Sequence, residues 1–197
     1  MEHAERLGAR TDPAAAEPAL GLIESASIAQ GILVADAVAK VSPVRLLWAR
    51  TVSPGNFVVL FAGDVEEVRS ALDRGREVGG DAVLDHMHIA GVHRDLIAAV
   101  RGPRRLDIRE AIGVVEARTV ATTLLAADAA AKSSSIDLLE VRLAMHLGGK
   151  GFFIVSGEAG DVEEAVATGA DLCRRRGHHV RDVVIPRASA ELLEHLR

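Results

Sequence analysis

The histidines are the first residues to test for chemistry. His86 and His88 stand two apart on one face of a predicted strand, where two imidazoles could share a metal ion, and His178-His179 form a second pair. Only scattered carboxylates are available as further ligands, so the pairs read as solvated surface and no metal site is assigned. The single Cys173 follows Leu172 in a helical stretch and belongs to no Cys–His motif. It reads as a small packing hydrophobe, and one cysteine excludes an internal disulfide or a multi-cysteine zinc or iron–sulfur site within one chain. Gly148-Gly149-Lys150-Gly151 offers backbone N–H groups and an ammonium, as a phosphate loop does, but without the spacing or the Ser/Thr of that motif. No dinucleotide fingerprint, zinc-protease helix or nucleophile elbow occurs. No catalytic residue, cofactor or metal is assigned.

Four carboxylate pairs recur along the chain: Glu24 and Glu116, Asp36 and Asp128, Asp64 and Asp161, Glu66 and Glu163. Recurrence alone could suggest a catalytic carboxylate pair. A duplication explains it better, because the surroundings recur too. Residues 19–50 and 111–142 align without a gap at an offset of 92, with 14 identities in 32 positions. The match resumes at FVVLFAGDVEEV (57–68) against FFIVSGEAGDVEEA (152–165), and weakly at HIAGV (88–92) against VIPRA (184–188). The chain is therefore read as a tail (1–18), a first domain (19–100), a charged joint RGPRRLDIRE (101–110) and a second domain (111–197).

The elements that would position these residues follow one pattern in each copy. An apolar alternating strand opens it (20–25; 112–117), and an Ala-rich helix follows (28–40; 120–132), with Ser27 and Thr119 where an N-cap is wanted. A second strand (44–51; 136–144), a Gly-containing turn and a third strand (57–62; 152–156) come next. GDVEE then opens a second helix, with Asp64 and Asp161 as expected caps, and a short strand closes each copy (83–89; 180–185). The order β-α-β-β-α-β is the ferredoxin-like layout, so an α/β fold of two tandem domains is expected.

Composition agrees with this and narrows the function. Apolar residues make up 49% and aromatics 3% of the 197 residues, with no tyrosine, so the core must be Ala, Val, Leu and Ile. A net charge of −5 without a basic stripe argues against nucleic acid. No apolar run of about 18 residues exists, so no membrane span is expected. The N-terminus lacks the apolar segment of a secretory signal, so a cytoplasmic protein is the expectation.

ALGLIES, the Ala-rich A/V-A-D-A…K helix, the Gly turn before an apolar strand, the GDV helix start and the closing VIPR together resemble the bacterial microcompartment (BMC) domain, over nearly all of both copies. The resemblance implies a structural shell protein of the tandem-domain class. Three chains would form a pseudohexameric tile with a central pore for small metabolites, assembling with hexameric and pentameric shell tiles. Both copies keep the unpermuted order, which favours a single-layer trimer over a stacked pair. The resemblance places the pore on Ser53, Pro54, Gly55 and Asn56 in the first copy and on His146, Leu147, Gly148, Gly149 and Lys150 in the second. It places tile-edge contacts on Lys40, Lys132 and Arg187, with Gly91 at the arginine's position in the first copy. Some tandem shell proteins hold an iron–sulfur cluster on a pore-loop cysteine; neither loop here has one. Backbone N–H groups with His146 and Lys150 would favour small polar or anionic solutes. His146 itself reads as an exposed loop residue without a gating role. Two other readings stay open: a ferredoxin-like, oligomeric ligand-sensing module with a deep pocket between the copies, and an enzyme built on the histidines and carboxylates.

Overall fold

The computed structural model describes residues 18–102, 110–144 and 147–195. The expected tail up to residue 17, most of the joint (103–109) and the predicted pore residue His146 lie outside the described residues.

The first copy runs β1 (Ala19–Ser25), α1 (Ile28–Val41), β2 (Arg45–Val52), β3 (Asn56–Gly63), α2 (Val65–Gly79), a 3₁₀ turn (Gly80–Ala82), β4 (Val83–Ala90) and α3 (Leu96–Arg101). The second repeats it as β5 (Ala111–Ala117), α4 (Val120–Ser133), β6 (Asp137–Leu143), β7 (Gly151–Gly157), α5 (Ala159–Arg175), β8 (His179–Pro186) and α6 (Ala190–His195). Each copy holds one antiparallel four-stranded sheet, in the orders β2-β3-β1-β4 and β6-β7-β5-β8. The expected α/β, ferredoxin-like layout is present twice.

Alternation along β1 explains the layering. Ile23, with Phe57, Val59 and Phe61 of β3, faces α1 and α2 in one buried cluster. Leu20 and Leu22, with Val58, Leu60, Met87 and Ile89, face the other way, into a cluster shared with α4 of the second copy. The helices lie close on the sheets because glycines lie under them. A Cβ on Gly21 would sit 2.3 Å from the Phe61 ring, and one on Gly113 would sit 2.3 Å from Val166.

Ser27 and Thr119 cap α1 and α4 as expected, accepting from the N–H groups of Gln30 and Thr122. Asp64 caps α2 in a capping box with Glu67. Asp161 does not cap its helix: Glu158 stands at the N-cap and α5 begins at Ala159. Gly157 and Glu158 hold the places of Gly63 and Asp64. The second GDVEE motif therefore lies about one helical turn inside α5, and Glu163 has moved inward with it. The sequence reading ended each copy with a strand; the structure adds α3 and α6. Six residues are too few to form a helix unaided. Burial holds α3 in place, with Leu96 and Ala99 fully covered where it packs against β6 of the other copy.

Candidate functional site

The joint between the copies contains most of the buried polar chemistry. Val120 and Leu124 of α4 are each 1% exposed, packed in the cluster with Leu20, Leu22 and Met87. Glu24 accepts from the Val120 backbone N–H at 2.9 Å, at the start of α4, where the helix dipole favours a carboxylate. Asp85 accepts from the Thr122 hydroxyl at 2.8 Å, from the Thr119 hydroxyl and from the Arg176 guanidinium. Burial pushes the Asp85 carboxyl upward, but these hydroxyls and the guanidinium outweigh it and hold it below its ordinary value. One signal in the sequence pointed here. On the alternating strand β4, Asp85 falls on the same face as Met87 and Ile89, and a carboxylate on a core face must find partners.

The two candidate pore loops meet. Ser53, Pro54 and Gly55 turn the chain from β2 into β3, with the Gly55 N–H donating to the Val52 carbonyl at 3.0 Å. In the second copy, Ala144 and Lys150 close a wider loop, the Ala144 N–H donating to the Lys150 carbonyl at 2.9 Å. A Cβ on Gly149 would lie 3.2 Å from Pro54 Cδ and 3.4 Å from the Ser53 carbonyl oxygen. Pro54, Gly55, Gly148 and Lys150 are exposed, while Ser53, Asn56 and Leu147 are half-buried and Gly149 is buried. Equivalent glutamates on β1 and β5 hold the two loops. The Asn56 amide donates to Glu24 at 3.4 Å, and the Lys150 ammonium pairs with Glu116. The second loop's ammonium is therefore accompanied by the Glu116 carboxylate.

Burial raises Glu24 to about 7 from an ordinary 4.5, against the lowering effect of the Val120 N–H and the Asn56 amide. The folded chain thus holds a proton that the unfolded chain releases near 4.5. This contribution to stability is whole below about pH 4.5, falls as pH rises, and is gone above about 7. Thermal unfolding midpoints measured across this range should decline with pH by the equivalent of up to about 3 kcal/mol. Glu24→Gln, which keeps an acceptor for Val120, should flatten that decline; an unchanged profile would refute the assignment.

At the expected edge, Lys40 pairs with Asp36 at 2.6 Å with both side chains more than half exposed. Lys132 pairs with Asp128, which is 8% exposed and also accepts from the His93 backbone N–H at 2.8 Å. Arg187 is exposed at φ 50°, a left-handed value unusual for arginine, and its N–H donates to the Glu110 carbonyl at 2.7 Å. Gly91 has the equivalent geometry, with φ 63° and a 2.8 Å bond to the Pro18 carbonyl. The two positions correspond, and only one carries a cation.

The remaining candidates for chemistry are dispersed. His86 and His88 lie on the sheet face toward α2, and His178 and His179 lie beside Asp85 and Asp182. Among the described residues no cluster of three or more metal-ligating side chains occurs. Cys173 is fully buried in α5, where burial pushes its thiol up to about 11. A thiolate-ligated cluster at the pore does not fit this chain: both loops lack the donor, and the one thiol lies inside the helical layer.

Two domains of this fold, joined sheet face to helix with their loops brought together, define a tandem BMC-domain protein. The BMC domain family matches residues 19–92 and 111–188, and the chain belongs to it. It is a structural shell protein of a bacterial microcompartment. It is 36% identical over 169 residues to the bacterial microcompartment shell protein PduT of Citrobacter freundii, across 86% of this chain and 92% of that one. The carboxysome shell protein CcmK2 of Synechococcus elongatus matches 82 residues at 34% identity, covering 40% of this chain and 80% of its own. A solved microcompartment protein from Desulfitobacterium hafniense superposes with a TM-score of 0.79 at 38% identity, covering 91% of this chain and 99% of that structure. The fused permuted hexameric shell protein of the RMM microcompartment shares the fold, with a TM-score of 0.60 at 20% identity over 79% of this chain and 81% of its own.

Proposed function

We propose that three copies of this chain close into a flat ring of six domains around a central pore that passes small metabolites, and that the tile has no catalysis of its own. The observation that carries this is a mismatch between equivalent surfaces. Val120 and Leu124 of α4 are buried on the first sheet, yet their equivalents in α1, Ile28 and Ile32, are 42% and 56% exposed. Met87 of β4 is 1% exposed under α4, yet its equivalent in β8, Val183, is 40% exposed. Both halves of a second, unmade joint thus lie bare on the same chain. A head-to-tail contact of this kind either closes into a ring or runs on as a filament. A ring of six domains gives a flat tile. The joint is also where a ligand-sensing module would need its pocket, and packed Leu, Val and Met side chains occupy it instead.

The pore would alternate the two loop types, which approach each other at Gly149 and Pro54 within each chain. The edge would carry Lys40, Lys132 and Arg187. Co-expression with a hexameric shell protein, followed by electron microscopy, tests the reading: mixed sheets or closed shells are expected. Lys40→Asp, which touches only an exposed pair, should weaken those sheets while keeping the ring and the melting temperature; the double variant Lys40→Asp, Lys132→Asp should lose the sheets, with a lower melting temperature because it sets a carboxylate against the buried Asp128. Normal sheets from the double variant would remove the edge assignment. Absence of any co-assembly by the parent protein would sink the tile itself.

A further inference from the structure

The joint inside one chain is a template for the joint between chains, and at one position the template changes sign; this argument rests on the ring proposed above. Strand register pairs Glu24 with Asp85 in the first sheet and Glu116 with Arg181 in the second. Arg181 therefore occupies the place of Asp85. Inside the chain, Asp85 meets Arg176, which stands just past the end of α5. The first-copy counterpart of that site follows from a shared backbone bond: Ala26 N–H donates to the Ala82 carbonyl as Arg118 N–H donates to that of His178. Two residues before His178 is Arg176; two before Ala82 is Gly80, and beside it is Asp81. Asp81 and Arg181 are both exposed, and neither makes an ion pair among the described residues.

We infer that each chain-to-chain joint is closed by an ion pair of reversed polarity, with Arg181 of one copy reaching Asp81 of the next. The lengths exchange along with the charges. Inside the chain, a long arginine at the helix end reaches a short aspartate on the strand. Between chains, a long arginine on the strand reaches a short aspartate at the helix end. The reversal also sorts the joints. A first-copy helix end set on a first-copy sheet would place Asp81 against Asp85, and a second-copy helix end on a second-copy sheet would place Arg176 against Arg181. Like charges oppose both wrong pairings, so the reversal reinforces the alternation that the joint inside each chain already imposes.

Charge reversal separates this pair from general packing. Native mass spectrometry over a dilution series reads the trimer dissociation constant of the parent, Arg181→Glu, Asp81→Arg and the double variant, with melting curves to check that each chain is folded. Each single reversal should weaken the trimer about tenfold or more, and the double reversal should return it to within about threefold of the parent. Single variants that dissociate like the parent, or a double variant as weak as the two losses combined, would overturn the pair. A parent chain that forms no trimer would instead remove the ring on which the pair depends.

Discussion

Ile32→Asp is expected to convert the protein from a trimer to a folded monomer. Ile32 is 56% exposed on the isolated chain, so an aspartate there meets water and costs the fold little. In the ring, the same position lies against a neighbour's sheet, as Leu124 lies at 1% exposure against the first sheet of its own chain. The variant loses the burial of an isoleucine, about 2 kcal/mol, and sets a carboxylate in an apolar contact at a further cost of several kcal/mol. More than about 5 kcal/mol per joint corresponds to roughly four orders of magnitude in association. Sedimentation at micromolar concentration should show one chain, with the melting curve retained. The matched change in the second copy, Leu124→Asp, should damage the chain itself and lower its melting temperature. If Ile32→Asp sediments as the parent does, α1 is not part of a chain-to-chain joint.

A bulky residue at Gly55 should have the second largest effect, on passage through the tile. Gly55 has φ +129° and an exposed position with nothing within 4 Å of where a Cβ would stand. The left-handed backbone makes a side chain there strained by about 1 kcal/mol, which a domain of this size can absorb. Three copies of Gly55→Phe would aim three rings at one axis. Flux of a small polar solute through assembled shells should fall about tenfold or more, while shells still form. Gly160→Phe is the control: Gly160 lies in the first turn of α5, at the far end of β7 from the loop, and also has open space around it. Equal flux through Gly55→Phe and parent shells would place the pore elsewhere.

The duplication made most of the fold legible, because period-two strands and capped Ala-rich helices follow local rules, and each copy tested the reading of the other. Where the reading failed, tertiary contacts overrode local pattern. GDVEE begins a helix in the first copy, but in the second, Glu158 starts α5 earlier and leaves the motif inside it. α3 is defined by what it covers, β6 of the other copy, rather than by its own six residues. The partner of Lys150 was not legible in sequence, since nothing near it in the chain announces Glu116, which pairs with it across 34 positions. The joint was half visible: Glu24 recurs as Glu116 and the Asp36–Lys40 pair recurs as Asp128–Lys132, but the Asp85–Arg176 pair does not recur, and a search for repeats passes over it. That asymmetry is what the proposed second joint turns on.

The ring is tested most directly by native mass spectrometry of the purified full chain, combined with a projection map of the same particle by electron microscopy. The account predicts a mass of three chains and a disc of six similar lobes, alternating in detail, around a hole bordered by the loops that carry Gly55 and Gly148. A stable monomer or dimer at micromolar concentration, or a particle whose lobes do not surround an opening, would contradict it.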